Sequence, residues 1–205
     1  FKALNAVAAS NAAIVERPER WGLFGLVMVT LSLRSVLSYG FMAFIPLFLM
    51  NVLGQSEAAS SLAISLFSIA GMVGTALSGR TSEAVGAHRL TIACLSASAI
   101  GSAVFALNGS SVGLALALTA VLAIGIDLFY PSAVAVGMGY VPQHLGMASG
   151  LTYGVAICLG GVAEPFLGMA GDTFGLTPVM LTLAVIALAA ALLSIVIKKL
   201  DGTQA

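Results

Sequence analysis

Six apolar runs, each long enough to cross a bilayer, succeed one another with only short polar breaks between them. A hydrocarbon core of about 30 Å takes about 20 helical residues at about 1.5 Å each. The runs cover roughly 22–49, 58–79, 89–107, 112–140, 147–170 and 178–197. The breaks, at 54–57, 79–88, 108–111, 140–145 and 171–177, are polar or turn-forming. Hydrophobic residues make up 60% of the chain and charged ones 8%, and mean hydropathy is +1.09, which places it outside the soluble globular class. Unbroken Leu, Ala, Val and Ile runs exclude the alternating strands of about ten residues that a transmembrane barrel needs. The expected architecture is an all-α integral membrane protein. A linker over 1–20 leads into a six-helix transmembrane bundle over 21–200, and a tail occupies 201–205.

Of the eight Lys and Arg residues, only Arg34 falls in the interior of a run, Arg89 standing at the edge of one. The others, Lys2, Arg17, Arg20, Arg80, Arg89, Lys198 and Lys199, all fall on one side of the six-span path, while the opposite connections carry Glu57 and Asp172. Basic residues are retained on the cytoplasmic side, so both termini are expected in the cytoplasm, with the bundle in the cell (inner) membrane. The stretch Glu16-Arg17-Pro18-Glu19-Arg20 reads as a juxtamembrane linker with no cleavable signal. Cys94 and Cys158 lie within runs and read as small packing residues, with no disulfide framework. No basic stripe interleaves with aromatics, which argues against nucleic acid as a partner. His88 and His144, the two histidines, sit in connections and cannot ligate haem within the bilayer. No metal, cofactor or enzymatic chemistry is expected.

Polar groups are unevenly shared among the runs. The third and sixth hold no ionisable side chain in their apolar cores and read as lipid-facing or packing helices. The first, fourth and fifth carry Arg34, Asp127 and Glu164, and those same runs contain Pro46, Pro131 and Pro165. An ionisable group at bilayer depth costs at least about 2.5–3.5 kcal/mol on insertion scales, so it should face protein or a wet cavity. Proline frees a helix carbonyl, which neighbours or water must then satisfy. Arg34 and Asp127 fall near mid-depth and Glu164 nearer the outer boundary. Helical spacing gives each a companion on its own face: Ser38 and Phe41 for Arg34, Tyr130 for Asp127, and Tyr153 for Glu164. Two readings stay open, a structural ion pair that closes the bundle and a site that handles substrate or protons. Gly146, Gly150, Gly154 and Cys158 recur every four residues and Gly161 continues them, a helix-packing stripe for static contact or for sliding. Gly71, Gly74 and Ser78 form a weaker one.

The connection from Gly79 to Arg89 resembles the cytoplasmic signature of the major facilitator superfamily, Gly-x-x-x-Asp-Arg-x-Gly-Arg-Arg. Gly79, Gly86 and Arg89 match, Glu83 stands for Asp, and Ala84 replaces the first Arg. That departure weakens the charge relay such a gate implies and resembles the degenerate copy in the second half of a twelve-helix transporter. Leu33-Arg34-Ser35, the segment from Tyr39 to Leu47, Val141-Pro142, the segment from Gly146 to Leu151, Gly160-Gly161 and Pro165 look like the C-terminal half of the fosmidomycin-resistance group of drug exporters. The resemblance implies one half of a twelve-helix fold, built from two three-helix inverted repeats, with the first and fourth helices lining a central cavity.

By that resemblance the function is proton-coupled export of a small drug-like or anionic compound by alternating access, at a site between repeated halves. Arg34 would bind or pair the charge and Asp127 would partner it or titrate. Tyr39, Tyr130 and Tyr153 would line the cavity, and Gly79, Glu83, Gly86 and Arg89 would form the cytoplasmic gate. The implied partners are the lipid bilayer, a small-molecule substrate with protons, and an N-terminal six-helix half or a second copy of this bundle. Uptake or symport of an organic anion by the same fold is an alternative, and a non-transporting membrane scaffold or sensor is a second.

Overall fold

The structure, a computed structural model, describes residues 18–108 and 111–203. The expected linker up to residue 17, with Lys2 and Arg17, lies outside the described residues, as do Gly109, Ser110 and the last two positions of the tail. Helices form wherever the apolar runs predicted them: α1 (Trp21–Asn51), α2 (Glu57–Val85), α3 (Ala87–Leu107), α4 (Val112–Leu128), α5 (Tyr130–Gly139), α6 (Leu145–Gly150), α7 (Ala156–Phe174) and α8 (Leu176–Thr203). A short 3₁₀ turn, Pro142–His144, precedes α6, and a π-helical turn, Leu151–Val155, joins α6 to α7. Grouped by continuity, these make six membrane-length spans among the described residues: α1, α2, α3, α4 with α5, the stretch Pro142–Phe174, and α8.

Local chemistry sets the breaks. Ser56 and Ser111 cap α2 and α4 by accepting from the backbone N–H of Ala59 and Leu114, each satisfying one of the orphan donors of a helix start. Gly86 at φ +89° both ends α2 and begins α3, and Gly175 at φ +88° does the same between α7 and α8. A side chain is strained at such angles, so these one-residue hinges depend on glycine. Of the three prolines expected to disturb the spans, only Pro131 divides its span, at Phe129. Pro46 and Pro165 lie inside the continuous helices α1 and α7.

The packing pairs are α3 with α8, α2 with α4, and α1 with both α7 and α8. Exchanging the first three spans for the last three maps the α1–α7 pair onto the α4–α2 pair and returns the α3–α8 pair to itself. Three crossings also reverse chain direction, so the fourth span runs opposite to the first. This is the arrangement of two three-helix inverted repeats. Glycine marks the same place in both copies. On α2, Gly74 lies against the Ile124 carbonyl and the Leu128 amide of α4, and on α7, Gly160 lies against the Ser35 backbone of α1.

Of the two readings of the third span, lipid-facing or packing, the structure shows packing: 56% of its most apolar window is buried, the largest share of any span. Ser98 and Ser102 help it pack so closely, because each turns its hydroxyl back onto a carbonyl of its own helix. The stripe of Gly146, Gly150, Gly154, Cys158 and Gly161 faces outward, with all five exposed and nothing near the four glycines. Cys158 is therefore no packing residue of the bundle, whereas Cys94 is buried. The face of the fifth span that enters the bundle is Ala148, Thr152, Ala156 and Gly160. The last helix, α8, also runs into the expected tail, carrying Asp201 with it.

Candidate functional site

Arg34 lies near the middle of α1, Asp127 in the last turn of α4, and Tyr130 in the first turn of α5. The break at Phe129 brings the last two together. Pro131 has no N–H to continue the ladder, and the carbonyls that close α4 are left without helical partners. Arg34 takes up one of them: its Nε donates to the Ile126 carbonyl at 3.4 Å. Its Nη2 donates to Asp127 Oδ1, forming an ion pair. Its guanidinium carbon stands 4.4 Å from the centre of the Tyr130 ring, a cation–π contact that strengthens as water is withdrawn. The two charged side chains retain 12% and 20% of their exposure, so the pair is largely withdrawn into the bundle.

Tyr153, on the π-helical turn of the fifth span, meets Tyr130 edge-on, with centroids 6.4 Å apart and planes at 82°. The geometry therefore links Asp127, Arg34, Tyr130 and Tyr153, in that order, from α4 out to the open side of the fifth span. Tyr153 is 53% exposed. The Tyr130 hydroxyl is buried and has no hydrogen-bond partner among the described residues. On the far side of the pair, Asp127 Oδ2 rests against Gly71 of α2.

Two other expected residues stand apart. Tyr39 lies against Gly160, not against the pair. Glu164 sits in an open groove with Ala43, Phe44, Leu47 and Gly161, between α1 and α7. Of the companions proposed for Arg34, Phe41 is fully buried in the core. In the gate motif, Gly86 is the hinge described above. Glu83 and Arg89 are exposed, and neither enters an ion pair among the described residues.

A second polar cluster, at the end of the bundle where α1 begins and α8 ends, was not foreseen. Asp201 accepts from Arg20 Nη1 at 2.6 Å and lies 3.1 Å from His88 Nε2. The Arg20 guanidinium stands over the Tyr140 ring at 5.5 Å, and the Arg20 amide donates to the Tyr140 carbonyl at 2.8 Å. Four spans thus meet at one carboxylate. Beside it, Glu19 lies 2.7 Å from His144 Nδ1 and accepts from the Trp21 indole at 2.8 Å. The hydrogen bond from His144 holds the Glu19 carboxyl below its ordinary value. Burial pushes the Tyr140 hydroxyl up to about 12, with Asp201 adding to the effect. A hint was present in the sequence: Arg20, His88, Tyr140 and Asp201 all fall at span ends on one side of the membrane path.

A bundle of six membrane spans in inverted repeats, with an ion pair at mid-depth, defines a multi-pass membrane protein of the transporter kind. The chain belongs to the major facilitator superfamily, whose sequence profile matches residues 12–204. It is a secondary transporter of that kind. No curated protein sequence matches it.

Proposed function

We propose that this chain is the C-terminal half of a twelve-helix, proton-coupled exporter of small drug-like or anionic compounds, of the fosmidomycin-resistance type, with its site at Arg34 and Asp127. The observation that carries the reading is the ion pair itself. A buried pair costs solvation and is weak evidence for stability, so its retention at mid-depth beside an aromatic shelf calls for a task. Arg34 supplies the fixed positive charge and Asp127 the carboxylate that can exchange it for a proton. Proton and substrate would occupy the site in turn, as exchange requires: the substrate would leave outward before Asp127 takes up a proton, and Asp127 would lose that proton inward before the next substrate binds. Tyr130, with its unpartnered hydroxyl, and Tyr153, with its exposed ring, would receive the apolar part. The compound would cross by alternating access, with a second six-helix bundle covering the outward-facing glycines of the fifth span.

The test is export from cells that lack other efflux systems and express the full-length protein, with fosmidomycin as the probe compound. Expected is resistance that collapses when the proton gradient is dissipated and is lost in Arg34→Gln and in Asp127→Asn. Resistance unchanged in both variants, each shown to reach the membrane in normal amount, would remove the reading.

A further inference from the structure

We propose that Gly71 is a positioning residue for the Arg34–Asp127 pair: the bare Cα at this point of α2 is the seat without which the carboxylate cannot lie on the guanidinium. Asp127 reaches from α4 into the space between α1 and α2. One oxygen, Oδ1, accepts from Arg34, and the other, Oδ2, occupies the place where a Cβ on residue 71 would stand. The next glycine on the same face, Gly74, has a different task, since its neighbours are the Ile124 carbonyl, the Ile124 Cα and the Leu128 amide, all backbone. Gly74 lets two helices approach; Gly71 makes room for one charged side chain.

A methyl group at 71 cannot be absorbed by a long flexible neighbour. The aspartate side chain has one freely staggered torsion before its carboxylate, and that carboxylate is tied to Arg34. Either Asp127 turns away from Arg34 or α2 and α4 separate, and Gly74 already holds those two backbones in contact. Turning away is the smaller movement. It leaves a cation with its Ile126 carbonyl and the Tyr130 face only, so the guanidinium shifts over the ring. Residue size at 71 thereby governs whether the pair exists, on a helix that contributes no charge of its own to it.

The inference rests on the pair being the transport site only for its functional consequence, and the experiment keeps the two apart. The full-length protein is labelled with 3-fluorotyrosine, and the Tyr130 line is identified as the one lost in Tyr130→Phe. A fluorine on that ring senses the charge 4.4 Å from its centre. Gly71→Ala should displace the Tyr130 line in the direction produced by Asp127→Asn. Gly101→Ala, which crowds a Leu122 methyl between α3 and α4, should leave it in place. Thermal unfolding supplies the second reading. Gly71→Ala should lower the midpoint in the native background and have no such effect in Arg34→Gln/Asp127→Ala, where the seat is empty of charge.

A Tyr130 line that does not move in folded Gly71→Ala, or an equal loss of midpoint in both backgrounds, overturns the proposal. If Gly71→Ala alone does not fold, folding of the triple variant supports the seat and its failure overturns it. Should the line move while the export test above fails, the seat stands and the transport reading falls.

Discussion

Gly160 on α7 stands so close to Ser35 on α1 that the Ser35 carbonyl oxygen lies 2.7 Å from where a Cβ on Gly160 would be. Ser35 adjoins Arg34, so this contact fixes the depth and rotation at which the arginine is presented. Gly160→Ala should cost about 1–3 kcal/mol, the usual penalty for overpacking a tight contact. In this chain alone, with no second bundle over the outward face, Gly161→Ala, with nothing within 4 Å, should be neutral or slightly stabilising, because alanine is the better helix former. Thermal unfolding in detergent separates the two. Equal effects would mean that the fifth span does not meet α1 along the Gly160 face.

Neutralising one member of the Arg34–Asp127 pair leaves the other charged and without its partner. Arg34→Gln and Asp127→Asn should each lose about 3–5 kcal/mol, and the double variant should recover most of it. A double-mutant cycle on unfolding midpoints measures the coupling. A double variant no better than the worse single would show that the two side chains act separately.

Tyr140 carries a pH dependence whose sign follows from its environment. Its folded value is raised from 10.0 to about 12, so the proton is held more tightly in the folded state. The associated stability is fully present below pH 10.0 and is lost as pH rises towards about 12. Ultraviolet titration should show one tyrosine ionising last, and Tyr140→Phe should abolish that step. Asp201→Asn should move it only part of the way down, because burial is the larger cause. A titration unchanged by Tyr140→Phe would place the late step on another residue.

Six spans put both ends of the described chain on one face, and from the Lys and Arg distribution we propose that this face is cytoplasmic. Ser82→Cys, beside the Gly86 hinge, should react with a membrane-impermeant thiol reagent in inverted vesicles and stay unlabelled in intact cells. Labelling from outside would reverse the assignment.

The spans and the pair were legible because each rests on a signal that tertiary packing does not override. Twenty apolar residues have few alternatives to a membrane helix, and a lone arginine among them needs an anion. The second cluster was not legible for the opposite reason: Arg20 and Asp201 are 181 positions apart, in segments that read as linker and tail. The motif from Gly79 to Arg89 marked the break between α2 and α3, which falls at Gly86 with its positive φ, but gave no sign that Glu83 and Arg89 would face outward. The weaker glycine pair, Gly71 and Gly74, proved to be the packed one, and the longer stripe the exposed one. Spacing marks a smooth face without saying which neighbour it meets.

On the fifth span the reason lies in the π-helical turn. Residues four apart on a regular α-helix precess by about 40°, from 3.6 residues per turn. Ala148, Thr152, Ala156 and Gly160 would therefore wind about 120° around the helix over three repeats. All four are nevertheless buried, because the wide turn at Leu151–Val155 holds an extra residue and takes up much of that drift. The result is a nearly straight rail of small side chains. The wide turn thus keeps small side chains of the fifth span on the inner side of the helix from Ala148 to Gly160, which is what lets Gly160 reach the Ser35 backbone about two turns beyond it.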